Sequence, residues 1–164
     1  LKFKTTVTFL HPLRNIQNRF FGTDAGAKSK VNLAASYFIN NAIEIVDGLP
    51  AVIYNKVLIT RGDLTGFQNV EAQAATGGVI NLTWEDNGLQ GNALATDKVS
   101  VVCYFEAVSA FEIFEGVAFR SDAEASITLH SSYQGMEAQV YAFIANEAET
   151  QACNSVYLGL VTLG

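Results

Sequence analysis

In Val79-Ile80-Asn81-Leu82-Thr83-Trp84-Glu85, apolar and polar side chains alternate from Ile80 on, Ile80, Leu82 and Trp84 against Asn81, Thr83 and Glu85. Successive side chains of a strand point to opposite faces, so this period of two marks a strand half buried against a core. The pattern recurs in Ala125, Ile127 and Leu129, which alternate with Ser126, Thr128 and His130. Val57 and Ile59 alternate with Leu58 and Thr60 and then run into Arg61-Gly62-Asp63. Further strands are expected at 99–105, at 111–119 with an interruption at Gly116, at 140–145 and at 156–163. The 140–145 segment is apolar on both faces, as a central strand is. Seven short strands separated by Gly, Asp, Asn and Ser turns describe an antiparallel β-sandwich of the immunoglobulin type.

Ahead of this run the spacing is helical. Phe9, Leu13, Ile16 and Phe20 form one stripe that Gly22 would end. Pro12 inside it must lie in a first turn or kink the helix. A strand competes at the start, where Leu1, Phe3, Thr5, Val7 and Phe9 alternate with more polar neighbours. Ser29 is placed to cap a second helix whose apolar face is Val31, Ala34, Ala35, Phe38, Ala42 and Ile45, with Gly48-Leu49-Pro50 as its stop. Residues 22–28 would join the two as a helical hairpin, which needs a sheet to bury its faces. The expected class is α+β: a helical hairpin unit at 1–54 and a sandwich domain at 55–164.

Composition narrows the function. The chain has 164 residues, of which 49% are hydrophobic and 16% charged, which excludes intrinsic disorder. Ten Lys and Arg against 16 Asp and Glu give a net charge of −6 without a basic cluster, so nucleic acid is not an expected partner. No apolar run reaches the length of about 18 residues expected of a transmembrane helix. The first residues, Leu1-Lys2-Phe3-Lys4, contain neither an initiator Met nor a signal peptide. A processed form or a piece of a longer chain would both begin so.

No reactive constellation emerges. His11 and His130 are the only histidines and fall in different units, too few for a metal site or a triad. Cys103 shares the apolar parity of Val99, Val101 and Phe105 and is expected as a reduced core residue, whereas Cys153 lies in the turn before the last strand. Oxygen donors gather from Glu85 and Asp86 to Asp97 without the ligand order of a calcium loop, so a solvated turn is expected. Arg61-Gly62-Asp63 reads as an ordinary turn. No catalytic, cofactor-binding or metal-binding residue is assigned.

What stands out is apolar surplus. Tyr104, Phe105, Phe111, Phe114 and Phe119 occupy both faces of two consecutive strands, and one sandwich buries only one face of each. The rest must lie under the helices, another subunit or a ligand. The final strand carries Val156, Tyr157, Leu158, Val161 and Leu163 and, from Asn154 on, neither a charge nor a proline. Such a strand lacks the usual protection of a sheet edge. Val156, Tyr157, Leu158, Val161 and Leu163, with Phe111 and Phe114, are therefore the candidate assembly residues, and the expected partner is the chain itself.

Four segments carry a resemblance: 56–64 (Lys-Val-Leu-Ile-Thr-Arg-Gly-Asp-Leu), Gly91-Asn92-Ala93 with Ala95-Thr96-Asp97-Lys98, Arg120-Ser121-Asp122, and 154–159 (Asn-Ser-Val-Tyr-Leu-Gly). In this order they resemble a functionally uncharacterised family of Bacteroidota proteins, whose usual Gly-rich N-terminal segment with Trp-Lys-Gly is absent here. More loosely, Trp84 and Gly135-Met136-Glu137 are similar to landmarks of fibronectin type III modules, although the corner tyrosine expected near Ala138 is missing. The family lends no activity. The expected function is a non-enzymatic structural or interaction protein, a subunit of a filament or pilus-like assembly at a bacterial surface or outside the cell. A virion component, and a carbohydrate- or ligand-binding module, are the alternatives. Trp84 on the core face speaks against an aromatic binding platform.

Overall fold

The computed structural model describes residues 1–23, 26 and 28–164. Its N-terminal layer begins with α1 (Lys2–Leu10), continues through one 3-10 turn at His11–Leu13 and ends with α2 (Arg14–Phe20). The start is helical, not extended, and the turn falls where Pro12 removes a ladder donor. Phe9, Leu13, Ile16 and Phe20 are all buried, so the stripe read from their spacing is the packed face. The connector at 22–28 includes Asp24, Ala25 and Ala27, which lie outside the described residues.

Helix α3 (Lys30–Asn41) starts at Ser29, whose Oγ accepts from the Asn32 N–H at 3.2 Å. Ala34 and Phe38 are buried on its inner face, but the helix ends before Ile45. Ile45 belongs to an exposed hairpin of β1 (Ile43–Val46) and β2 (Leu49–Val52), in which Val46 faces Leu49. The turn residues Asp47 and Gly48 have φ of +50° and +80°, the left-handed pair that a two-residue hairpin turn demands. Gly48-Leu49-Pro50 thus turns a hairpin and does not stop a helix.

The sandwich has a three-stranded sheet, β3-β4-β7, and a four-stranded sheet, β6-β5-β8-β9, with every neighbouring pair antiparallel. Its strands are β3 (Gln68–Ala75), β4 (Val79–Glu85), β5 (Lys98–Phe105), β6 (Ala110–Phe119), β7 (Glu124–Thr128), β8 (Glu137–Ala145) and β9 (Val156–Thr162). The chain crosses to the second sheet after β4, returns for β7 and crosses again for β8. That exchange is the one expected of an immunoglobulin or fibronectin type III sandwich. One strand moves: β3, not Val57–Thr60, is the first. The 57–60 segment is buried at Val57, Ile59 and Thr60 yet makes irregular bonds, Ile59 N–H to Ser155 Oγ at 2.8 Å and Thr60 Oγ1 to the Cys153 carbonyl at 2.8 Å.

The helices cover the four-stranded sheet on the face that carries Val102 and Tyr104. Phe9 meets Tyr104 and Phe111 edge-on, with ring centroids 4.9 and 5.0 Å apart, and Phe20 meets Phe143 at 6.0 Å. The opposite face, with Val99, Val101, Cys103 and Phe105, turns to the other sheet, whose Ile80, Leu82 and Trp84 are buried as their alternation requires. Much of the aromatic surplus is therefore covered by the chain's own helices.

A charged brace closes one end. Arg120, just after β6, is 0% exposed and Asp97, just before β5, is 1% exposed. Nε and Nη2 of Arg120 donate to Asp97 Oδ2 at 3.1 and 2.9 Å. Nη2 also reaches the Thr65 carbonyl at 2.7 Å, and Nη1 reaches the Gly66 carbonyl at 3.0 Å and Asn87 Oδ1 at 2.8 Å. Asn92 adds bonds to Thr65 and Asp63. The loop between β4 and β5 is thus pinned to 63–66, and Asp97 is a structural anion instead of a member of a solvated turn.

Candidate interaction surface

The reactive residues are disposed as packing or surface groups. Cys103 and Cys153 are free and buried, with thiols pushed up to about 12 and about 11, in each case chiefly by burial. Neither is a ready thiolate nucleophile at neutral pH. Exposed His11 contacts Arg14 through Nε2 at 2.7 Å, and exposed His130 accepts from the Ser132 N–H at 3.0 Å, capping a 3-10 turn. Among the described residues, no three His, Cys, Asp or Glu side chains converge as metal ligands. Arg61 lies over the Tyr37 ring at 5.5 Å. A Cβ on Gly62 would come within 2.2 Å of the Ala152 carbonyl oxygen, so that turn serves a close backbone approach.

The apolar candidates separate into two groups at opposite edges of one sheet. Val156, Tyr157, Leu158 and Val161 lie half-buried on edge strand β9, and Phe111 and Phe114 lie half-buried on edge strand β6, with β5 and β8 between them. Leu163, just past β9, is only 2% exposed and belongs to the core.

A bulge re-aims β9. Tyr157 pairs with Tyr141 and Gly159 with Val140, so Leu158 is the extra residue, and Gly159 takes φ +101°. Strict alternation would set Val156, Leu158 and Leu160 on one face. Past the bulge, Leu160 instead pairs with Gln139 on the helix-covered face and Val161 pairs with Ala138 on the sandwich face. Leu160 is 49% exposed and becomes the apolar projection of this edge. It escaped the sequence reading because one inserted residue reverses every parity after it. On β6, Ile113 and Phe119 are likewise exposed on the helix side, at 36% and 44%.

The edges differ in charge. β3 carries Glu71, β7 carries Glu124, and β6 carries Glu112 and Glu115. Strand β9, Val-Tyr-Leu-Gly-Leu-Val-Thr, carries none. Glu112 accepts from the Tyr133 hydroxyl at 2.7 Å, and Glu115 pairs with Arg19 at 2.7 Å. An unpaired strand edge offers its outward N–H and C=O groups to any chain that can align beside it.

The chain belongs to the family of unknown function DUF6266, which it matches over residues 1–159. It matches no curated protein by sequence. Among solved structures it is similar to the FN5 domain of Drosophila Lar, at 10% identity over 59% of this chain and 92% of that one, with a TM-score of 0.39. It is also similar to the fn3 domain of human contactin 1, at 7% identity over 64% and 83%, with a TM-score of 0.43. The sandwich assignment itself stands on strand order and register. Among the described residues no helix is long and apolar enough to cross a membrane.

Proposed function

We propose that this chain is a non-enzymatic interaction module that associates with copies of itself through the β9 edge, as a subunit of a surface or extracellular assembly of a Bacteroidota bacterium. The observation that carries the reading is the edge: of the four in the sandwich, β9 alone has no charged residue, and it bears the half-exposed Leu160. Strand addition at such an edge draws affinity from main-chain hydrogen bonds and selectivity from alternate side chains. The Bacteroidota origin rests on the sequence resemblance.

The test is sedimentation velocity over a concentration series, with electron microscopy of the concentrated sample. The native chain is expected to form polymers that Leu160→Lys abolishes at unchanged melting temperature. Leu160 suits this better than Val161, which packs partly into the sandwich. A native chain that stays monomeric at high micromolar concentration refutes the reading.

A further inference from the structure

Both edges of the four-stranded sheet are half protected and half open, and the open halves lie level with one another. Leu160 on β9 pairs with Gln139 on β8, Gln139 with Tyr104 on β5, and Tyr104 with Phe111 on β6. One transverse row of the sheet therefore begins at Leu160 and ends at Phe111, all on the helix-covered face. The bulge of β9 lies to one side of this row at Leu158, and that of β6 lies to the same side, between Phe114 and Ala118. Away from these bulges both edges are regular, at Gly159–Thr162 and Ala110–Phe114.

We infer that the β9 edge of one copy docks on the β6 edge of the next, head to tail, so that the four-stranded sheet continues from subunit to subunit. This rests on the self-association proposed above and names the surface that completes it. Strand direction is the first support. With each neighbouring pair antiparallel, β9 and β6 run in opposite directions, so a copy displaced along the row sets its β6 antiparallel to β9. The second support is chemical. Row alignment brings Leu160 beside Phe111 of the next copy with Ile113 on the diagonal, on one face, which covers the exposed Leu160 of one edge and the exposed Ile113 of the other at once.

The two-fold alternatives fit less well. Pairing β6 with a second β6 brings Glu112 and Glu115 of one copy near those of the other, and like charges across a ladder repel. Pairing β9 with a second β9 leaves Ile113 in water. Because the docking surfaces differ, the contact is heterologous, and continuing the sheet from copy to copy with its usual twist would wind the stack into a helical filament. Four strands at about 4.8 Å give a subunit rise of about 19 Å.

The experiment uses two full-length variants, each blocked at one edge: Leu160→Lys, with β6 intact, and Ile113→Lys, with β9 intact. Melting temperatures first establish that both fold, with Ile113→Glu, a charge at the same exposed position, as the replacement should Ile113→Lys fail. Head-to-tail docking requires each variant alone to be monomeric and an equimolar mixture to form 1:1 dimers, because one intact β9 then meets one intact β6. Native filaments should show the rise of about 19 Å. If Ile113→Lys dimerises alone and mixing adds nothing, β9 pairs with itself: the self-association reading stands and this inference falls. If both variants still polymerise, the contact lies elsewhere and both fall, as they do if the native chain remains monomeric.

Discussion

Replacing Arg120 by Met removes the most connected side chain of the sandwich while keeping much of its length and apolar stem. The guanidinium uses all five of its donors: two to Asp97 Oδ2, one each to the Thr65 and Gly66 carbonyls, and one to Asn87 Oδ1. After the change, the Asp97 carboxylate stays 1% exposed with only the Leu94 N–H, at 2.8 Å, still donating to it. Breaking a buried pair from one side costs about 3–5 kcal/mol, because the remaining charge is left in a poorly solvating interior. Against a total stability of about 5–15 kcal/mol this is a large share, and it lowers Tm by roughly 6–20 °C. Arg120→Lys should recover little, since one ammonium cannot span the same acceptors. Urea unfolding followed by Trp84 fluorescence measures the loss. Adding Asp97→Asn to Arg120→Met removes the stranded charge and should restore at least about 1 kcal/mol. A loss below about 1 kcal/mol for Arg120→Met, or strictly additive behaviour of the pair, would refute the brace.

Trp84→Ala should cost about 3–5 kcal/mol in the same assay. The indole is 5% exposed, packs edge-on against Phe67 at 5.6 Å and donates Nε1–H to the Arg120 carbonyl at 2.8 Å; a loss under about 1 kcal/mol would place the ring at the surface. Thiol titration should find two free groups in denatured, unreduced protein and almost none reacting in the native state at pH 8, since burial pushes Cys103 to about 12 and Cys153 to about 11. Fast native labelling of either would contradict their placement. Burial also raises the phenols of Tyr54 and Tyr141, the first further through its hydrogen bond to Glu106, the second through its neighbours Tyr157 and Tyr54. Raised phenol values hold their stabilisation below the unfolded value of about 10 and lose it as pH climbs above that. Stability should thus fall steeply above about pH 10, and ultraviolet titration should show both phenols ionising together with unfolding; reversible ionisation in the folded chain would refute their burial.

The sequence is legible where one face of an element is buried and misleading where burial and pairing part company. Ile80, Leu82 and Trp84 alternate because β4 is a half-covered strand, and Phe9, Leu13, Ile16 and Phe20 repeat because a helix presses them on the sheet. Val57–Thr60 alternates equally well, yet its side chains are buried under 152–155 without joining a ladder, since apolar period reports burial and not hydrogen bonding. Strand β3, Gln-Asn-Val-Glu-Ala-Gln-Ala-Ala, lies at an edge with Ala in place of large inward residues, so its period is faint. The β1–β2 hairpin did have a signal in Asp47-Gly48 between apolar runs, which a helix reading passes over. Arg120 and Asp97 look like surface charges in a chain this acidic; only their burial against each other identifies them. The candidate edge was readable as an uncharged, proline-free segment, but its active projection was not, because the Leu158 bulge exchanges the faces of Leu160 and Val161.

That brace and that bulge bear on what the family resemblance means. Arg120, Asp97 and Asn92 fall in the segments that carry it, and so do Ile59, Thr60, Asn154 and Ser155, which bond 57–62 to the stretch before β9. These residues fix the β4–β5 loop and the entry into β9, and thereby the level at which β9 joins β8. This geometry holds the register of a sheet whose last strand carries no charge. A register error of one residue would turn Leu160 away from the row that ends at Phe111. Rigid entry into β9 is thus what a docking edge requires, and it ties the braced interior to the proposed role of the surface.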